Sequence, residues 1–196
     1  MTTRRNQALL IIVMSLTVLL AFPSPAAAQS DQAMQKLKSW PAKGDLSVAG
    51  SLGVPNAFDN DFDNFEPTLT GTLEWHLDEH LSLRVLAGFT DFDADINGNA
   101  NSAQILILNG NAVYAWPKKS ARPYVTGGVG MYDQDFDGPA FPGGGDIHPG
   151  INAGGGCDIA LQGDWSLRLE GWFHGFAGGD EPDSFFSGTV GLKYRF

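Results

Sequence analysis

The chain has 196 residues, with 22 acidic against 12 basic side chains and a formal charge of −10. Such a surface excludes nucleic acid as a partner, because it repels phosphate, and the single cysteine, Cys157, excludes an internal disulfide. The length fits one domain, and the 25 glycines follow no collagen-like period but separate apolar or alternating segments, which excludes a fibrous or disordered chain.

Arg4 and Arg5 precede an apolar run from Ala8 to Phe22, and the small residues Ala26, Ala27 and Ala28 follow it. A basic start, a short apolar core and a small-residue cleavage site are the parts of a secretory signal peptide, here residues 1–28. The run falls short of the roughly 20 residues that a spanning helix needs. The exported chain is therefore expected to hold no membrane helix. Removing the peptide takes away two arginines and no acid, leaving 10 basic and 22 acidic groups and a charge of −12. Residues 29–43 are a polar lead-in, expected in the periplasm.

From residue 44 a period of two takes over. Leu73, Trp75 and Leu77 alternate with Glu74 and His76; past a turn near Asp78 and Glu79, Leu81, Leu83, Val85, Ala87 and Phe89 alternate with Ser82, Arg84 and Gly88. This is an antiparallel hairpin with one apolar face. The pattern recurs where Trp165, Leu167, Leu169 and Phe173 oppose Ser166, Arg168, Glu170 and His174. It returns where Phe186, Val190, Leu192, Tyr194 and Phe196 oppose Ser187, Thr189, Lys193 and Arg195. Candidate strands run over 44–54, 67–77, 81–90, 103–116, 123–132, 149–162, 164–176 and 184–196. The fourth, fifth and sixth carry apolar or glycine residues on both faces, and their facing stays open. Short turns follow the second, fourth and sixth strands, and long acidic loops follow the first, third, fifth and seventh. In an up-and-down sheet those loops share one end, which is the plan of outer-membrane barrels. Residues 44–196 are thus predicted to form an all-β, eight-stranded, antiparallel transmembrane barrel.

The polar face reads as its interior. Glu74 and Arg84 stand in register across one hairpin, Asp158 and Arg168 across another, and Glu170 lies nearby; charges inside a narrow barrel must be paired to offset desolvation. Trp75, Trp116, Tyr124, Trp165, Tyr194 and Phe196 sit beside the short turns and Phe89, Phe173 and Phe186 toward the loops, as two aromatic girdles bracketing an apolar band. A soluble periplasmic binding barrel would instead bury Leu83, Val85, Leu167 and Leu169.

The last strand ends on a polar-x-Gly-x-x-aromatic-x-aromatic pattern, carried by Thr189, Gly191, Tyr194 and Phe196. With the strand count and the glycine-rich segment over 122–132, the chain resembles the small eight-stranded outer-membrane barrels of the opacity-protein and OmpA-transmembrane-domain type. The resemblance covers about residues 44–196. It implies a cell outer membrane location in a Gram-negative bacterium, a terminal strand read by the barrel-assembly machinery, and a structural or adhesin-like surface role. The chain stops at Phe196, so no peptidoglycan-binding domain is implied.

An interior this narrow fills with side chains, which disfavours a general porin and leaves a small gated pore through the charge network as the alternative. Catalysis is not expected: His174 with Ser184 or Asp180 is the sole set that a lipid-modifying barrel would use, and its spacing is not diagnostic. The loops concentrate 14 of the 22 acids without a Lys or Arg among them. Three segments alternate acids as calcium loops do: Asp59, Asp61 and Asp63; Asp93, Asp95 and Asn97; and Asp133, Asp135 and Asp137. None completes that motif, and turns favour Asp and Asn in any case. No cofactor is expected beyond weak Ca²⁺ shared among loops or bridged to lipopolysaccharide phosphate; the remaining expected partners are membrane lipid and an extracellular ligand.

Overall fold

The computed structural model describes residues 40–57, 67–96, 99–137, 145–177 and 184–196. Eight strands follow in chain order: β1 (Leu46–Ala57), β2 (Thr68–His76), β3 (Leu81–Ile96), β4 (Asn99–Ala115), β5 (Ala121–Asp137), β6 (Gly145–Ala160), β7 (Trp165–Phe176) and β8 (Ser184–Arg195). Each pairs antiparallel with the next, and β1 pairs β8 to close the barrel. One row of paired residues, followed from Ala115 through Tyr124, Glu170, Gly53 and Thr90, returns to β4 at Ile105, ten residues higher. Eight strands staggered by ten give a strand tilt of roughly 40° and a backbone radius of roughly 8 Å. That interior holds side chains and little else.

The alternation inverts a soluble protein. Leu83, Val85 and Leu169 are 48%, 51% and 42% exposed, while Glu74 and Arg168 on the other face are 0% exposed. The apolar wall faces lipid and the polar face is the lumen, which overturns the soluble-barrel alternative. Around the periplasmic turns Trp75, Tyr114, Trp116 and Phe196 are exposed, and rings touch edge to face or tilted in the pairs Tyr114–Trp116 and Trp165–Tyr194, at centroid distances of 5.1 and 4.9 Å. Phe173 and Phe186, 5.4 Å apart, belong to the opposite girdle. Tyr124 does not belong to the girdle: at an even position of β5 it points into the lumen and is buried. Tyr114 takes the outward place instead.

Strands four to six acquire a definite facing from size. Inward glycines on β5 and β6 stand opposite inward side chains that lie across them: Gly156 opposite Tyr124, Gly154 opposite Trp172, Gly130 opposite Asn109. A residue without a side chain lets its partner lie across it, so segments that look apolar on both faces are a row of seats.

The acidic segments are shorter as loops than the sequence suggests. β3 and β4 remain paired up to Ile96 and Asn99, and β5 extends to Asp137. Asp93, Asp95, Asp133, Asp135 and Asp137 therefore lie in strands, which corrects their assignment to loops. Alternating acids are themselves a period of two, and a ladder that continues through them keeps its backbone hydrogen bonds. Asn97 and the segment carrying Asp59, Asp61 and Asp63 lie outside the described residues.

The periplasmic end is tied tightly. The Asp78 carboxylate accepts the backbone N–H groups of His80 and Leu81 at 2.7 and 2.8 Å, which holds its carboxyl below the ordinary range. Gly163 turns β6 into β7 at a φ of 68°, a conformation that favours glycine. Residues 40–45 cross the mouth: the Gly44 N–H donates to the His76 carbonyl at 2.8 Å, and the Trp40 indole N–H donates to the Lys118 carbonyl. The β4–β5 turn that carries Lys118 lies across the ring from β1. This segment is a strap over the opening.

A Cβ on Gly154 would lie 2.6 Å from the Gly171 carbonyl oxygen and 2.9 Å from the Trp172 ring, whereas one on the outward Gly171 meets nothing within 4 Å. We expect Gly154→Ala to cost about 1–3 kcal/mol and Gly171→Ala to stay within about 0.5 kcal/mol, measured by urea unfolding of the refolded barrel.

Candidate functional site in the barrel lumen

Inward residues near the periplasmic ends of six strands converge on one layer. Glu74 on β2 is its hub. It accepts from Arg84 Nη2 and Arg168 Nη2, both at 2.9 Å, from Lys193 Nζ at 3.2 Å, Arg122 Nη1 at 3.3 Å and Ser82 Oγ at 2.7 Å. Asp158 on β6 takes Arg168 Nε at 2.8 Å and Lys193 at 3.0 Å. Glu170 on β7 takes Arg84 Nη1 and the Tyr124 hydroxyl, both at 2.6 Å. The Arg84 guanidinium also lies over the Tyr124 ring, 4.9 Å from its centroid. All of these charged groups are buried. Because the contacts join β2, β3, β5, β6, β7 and β8, the layer braces the barrel across its diameter.

All five residues predicted as a lumen network, Glu74, Arg84, Asp158, Arg168 and Glu170, meet in this layer. Arg122, Lys193 and Tyr124 join them without having been predicted. The alternation of the last strand puts Lys193 on the polar face, but its partner acids are 119 and 35 residues away in sequence. Arg122 and Tyr124 open the strand whose facing the sequence leaves undecided.

Toward the loop end the lumen is aromatic. Leu86, Ile105, Ile107, Tyr132, Trp172, Phe176 and Phe185 form one buried cluster. His174 is held among them, stacked on Phe185 at 4.6 Å between centroids and on Trp172 at 6.0 Å, with Nδ1 3.0 Å from the Tyr132 hydroxyl. The structure does not bring His174 to Ser184, since Ser184 pairs with Gly175 and occupies an outward position. Asp180 lies outside the described residues. Between the two layers Ser51, Thr70, Asn111, Asn152 and Thr189 carry buried polar atoms without a hydrogen-bond partner in the protein, the kind of groups that ordered water serves.

On the outer wall, Asp91, Gln104 and Asp135 share one row, and the Gln104 amide donates to Asp91 Oδ1 at 3.1 Å. Asp133 is exposed below them. Among the described residues no group of three His, Cys, Asp or Glu side chains is placed to hold a metal ion. Of the terminal pattern, Thr189 and Gly191 face the lumen, while Tyr194 and Phe196 meet edge to face at 5.0 Å in the periplasmic girdle.

Losing the hub should be costly. Removing one partner of a buried ionic network typically costs about 3–5 kcal/mol, and we expect Glu74→Gln to lose that much in urea unfolding. Glu79→Gln, at a turn residue 69% exposed in its side chain, should change stability by less than about 0.5 kcal/mol.

No curated protein sequence matches the chain. Among solved structures it is similar to the Neisserial surface protein A, NspA, with a TM-score of 0.60 and 12% identity over 79% of this chain and 100% of that one. It is similar to Ail, the attachment invasion locus protein of Yersinia pestis, solved in complex with the heparin analogue sucrose octasulfate, with a TM-score of 0.58 and 10% identity over 79% and 99%. The outer membrane protein OprG of Pseudomonas aeruginosa follows with a TM-score of 0.56 and 13% identity over 80% and 98%. At these identities the likeness is one of fold. The model of the family described as the outer membrane protein beta-barrel domain matches residues 14–196, and the chain, a closed eight-stranded barrel with an apolar outer wall, belongs to that outer-membrane family.

Proposed function

We propose that this protein is a non-conducting surface barrel that catalyses no reaction and whose function is exercised at its outward rim, as a structural or ligand-binding element of the cell envelope. One observation carries the reading. Side chains occupy the lumen at two separate levels, a charge layer whose guanidinium groups are 0–1% exposed and an aromatic layer in which Tyr132, Trp172 and Phe185 are 0–1% exposed. A solute would have to displace both. The rim is then where a partner can be met.

Ail was solved with a polyanion, and binding of an extracellular ligand suits this barrel too. The polyanion itself does not carry over, because the segments at this rim hold 14 acids and no Lys or Arg. Such a surface favours cationic partners or divalent ions that bridge it to anionic lipid. The shared row of Asp91, Gln104 and Asp135 supports weak calcium association there.

In planar bilayers we expect no discrete conductance from the wild-type barrel; stable openings altered by neutralising Arg84 would replace this reading with the small pore. Calcium at tenfold excess over a dissociation constant on the order of 10⁻³ M should stabilise the detergent-solubilised barrel by about 1.4 kcal/mol. The gain should vanish in the variant Asp133→Asn with Asp135→Asn. A thermal midpoint indifferent to calcium would remove the cation from the proposal and leave the rest standing.

A further inference from the structure

The charge layer does not balance. Among the described residues its buried members are four cations, Arg84, Arg122, Arg168 and Lys193, against three carboxylates, Glu74, Asp158 and Glu170. His76, bonded through Nε2 to Ser47 Oγ at 3.0 Å, brings no negative charge. A charge buried without compensation is expensive, so the layer calls for one further negative group or one fewer positive one.

The hydrogen bonds say where. Arg84 commits Nε, Nη1 and Nη2 to Glu74 and Glu170. Arg168 commits all three nitrogens to Asp158, Thr72 and Glu74. Arg122 engages carboxylates through Nη1 alone, at 3.3 Å from Glu74 and 3.7 Å from Asp158. Its Nε and Nη2 have no partner, although the residue is 0% exposed. Those two nitrogens form the side-on edge of the guanidinium, whose parallel N–H bonds match two oxygens of a planar anion. Arg122 is the second residue of β5, at the periplasmic end, four residues from the Lys118 carbonyl that anchors the Trp40 strap.

We propose that the lumen binds one small monovalent anion, a halide or planar oxyanion, on the Nε–Nη2 edge of Arg122 inside the periplasmic mouth. A single charge completes the layer, and a divalent one would leave it negative. Two parallel N–H donors of a single guanidinium match an ion of a few atoms rather than a polyanion. Bound there, the anion is a further strut of the brace, joined to Glu74 and Asp158 through the guanidinium they share. The competing way to balance the layer is loss of a proton from Lys193, which needs no ion.

The test compares nitrate, chloride and gluconate as sodium salts at equal ionic strength, on the full-length barrel refolded in zwitterionic micelles. The readouts are the ¹⁵N-edited NMR signal of the Arg122 Nε–H group and the thermal midpoint from heat-dependent gel mobility. We expect the Arg122 signal to move saturably with nitrate, chloride to compete, and the midpoint to rise by several degrees and then level off. Nitrate is weakly hydrated and lacks the general stabilising effect of strongly hydrated anions, so a rise in nitrate is not a bulk salt effect. Arg122→Gln should fold and show a midpoint independent of the anion. Should that variant not fold, Lys193→Gln removes the surplus charge while keeping the Arg122 edge, and should weaken nitrate binding about tenfold or more. An Arg122 signal and a midpoint that are the same in all three salts would overturn the proposal in favour of a neutral Lys193. A nitrate response that never saturates, or that persists unchanged in Arg122→Gln, would overturn it as well.

Discussion

A carboxylate at the centre of a narrow tube must find its counter-charges on other walls of the tube. Glu74 finds them on β3, β5, β7 and β8, and the rest of the interior is arranged around that demand. A barrel of roughly 8 Å radius brings long side chains from opposite walls within hydrogen-bond reach. Guanidinium groups suit the task because each presents several donors in a fixed plane and can join two acids at once. Arg84 does so between Glu74 and Glu170, and Arg168 between Glu74 and Asp158. The lipid-facing wall can then be uniformly apolar, since the polar obligations of the sheet are met inside.

The interior is graded along its axis. Charge collects near the short turns, unpartnered hydroxyls and amides occupy the middle, and aromatic rings fill the loop end around His174. The two end layers obstruct by different physics. Opening the lower layer separates paired charges, whereas opening the upper one exposes packed apolar surface to water. A route that relaxed one would still meet the other.

Much of this was legible because a barrel repeats one simple rule. Alternation set apart the lumen face of β2, β3, β7 and β8, and counting back from the turns put Glu74 opposite Arg84 and Asp158 opposite Arg168, each pair ten residues apart. What resisted was information held between strands. The facing of β5 depends on Gly156 of β6 making room for Tyr124, as Gly154 does for Trp172 of β7, and no window within β5 records that. Lys193 reaches acids on β2 and β6, and its pairing with Glu74 follows only from closure of the ring. The ends of β3 and β5 were misjudged because Asp and Asn favour turns, while the same residues at alternate positions extend a ladder above the membrane.

The seam between β1 and β8 gives Lys193 a role in time as well as in space. Eleven residue pairs join the two ends of the barrel there, and they can form only after the intervening chain has been threaded through the sheet, at the greatest loop-closure cost in the fold. The pairs Glu74–Arg84 and Asp158–Arg168 are local and belong to hairpins that exist before closure. Lys193 rides on the closing strand, beyond the seam from Glu74, and its ammonium completes contacts to both acids once β8 has docked. The lysine is a latch: its contact with Asp158 needs only the sequential strands β6 to β8, whereas its contact with Glu74 forms only across the closed seam, and a strand that slipped there would forfeit it.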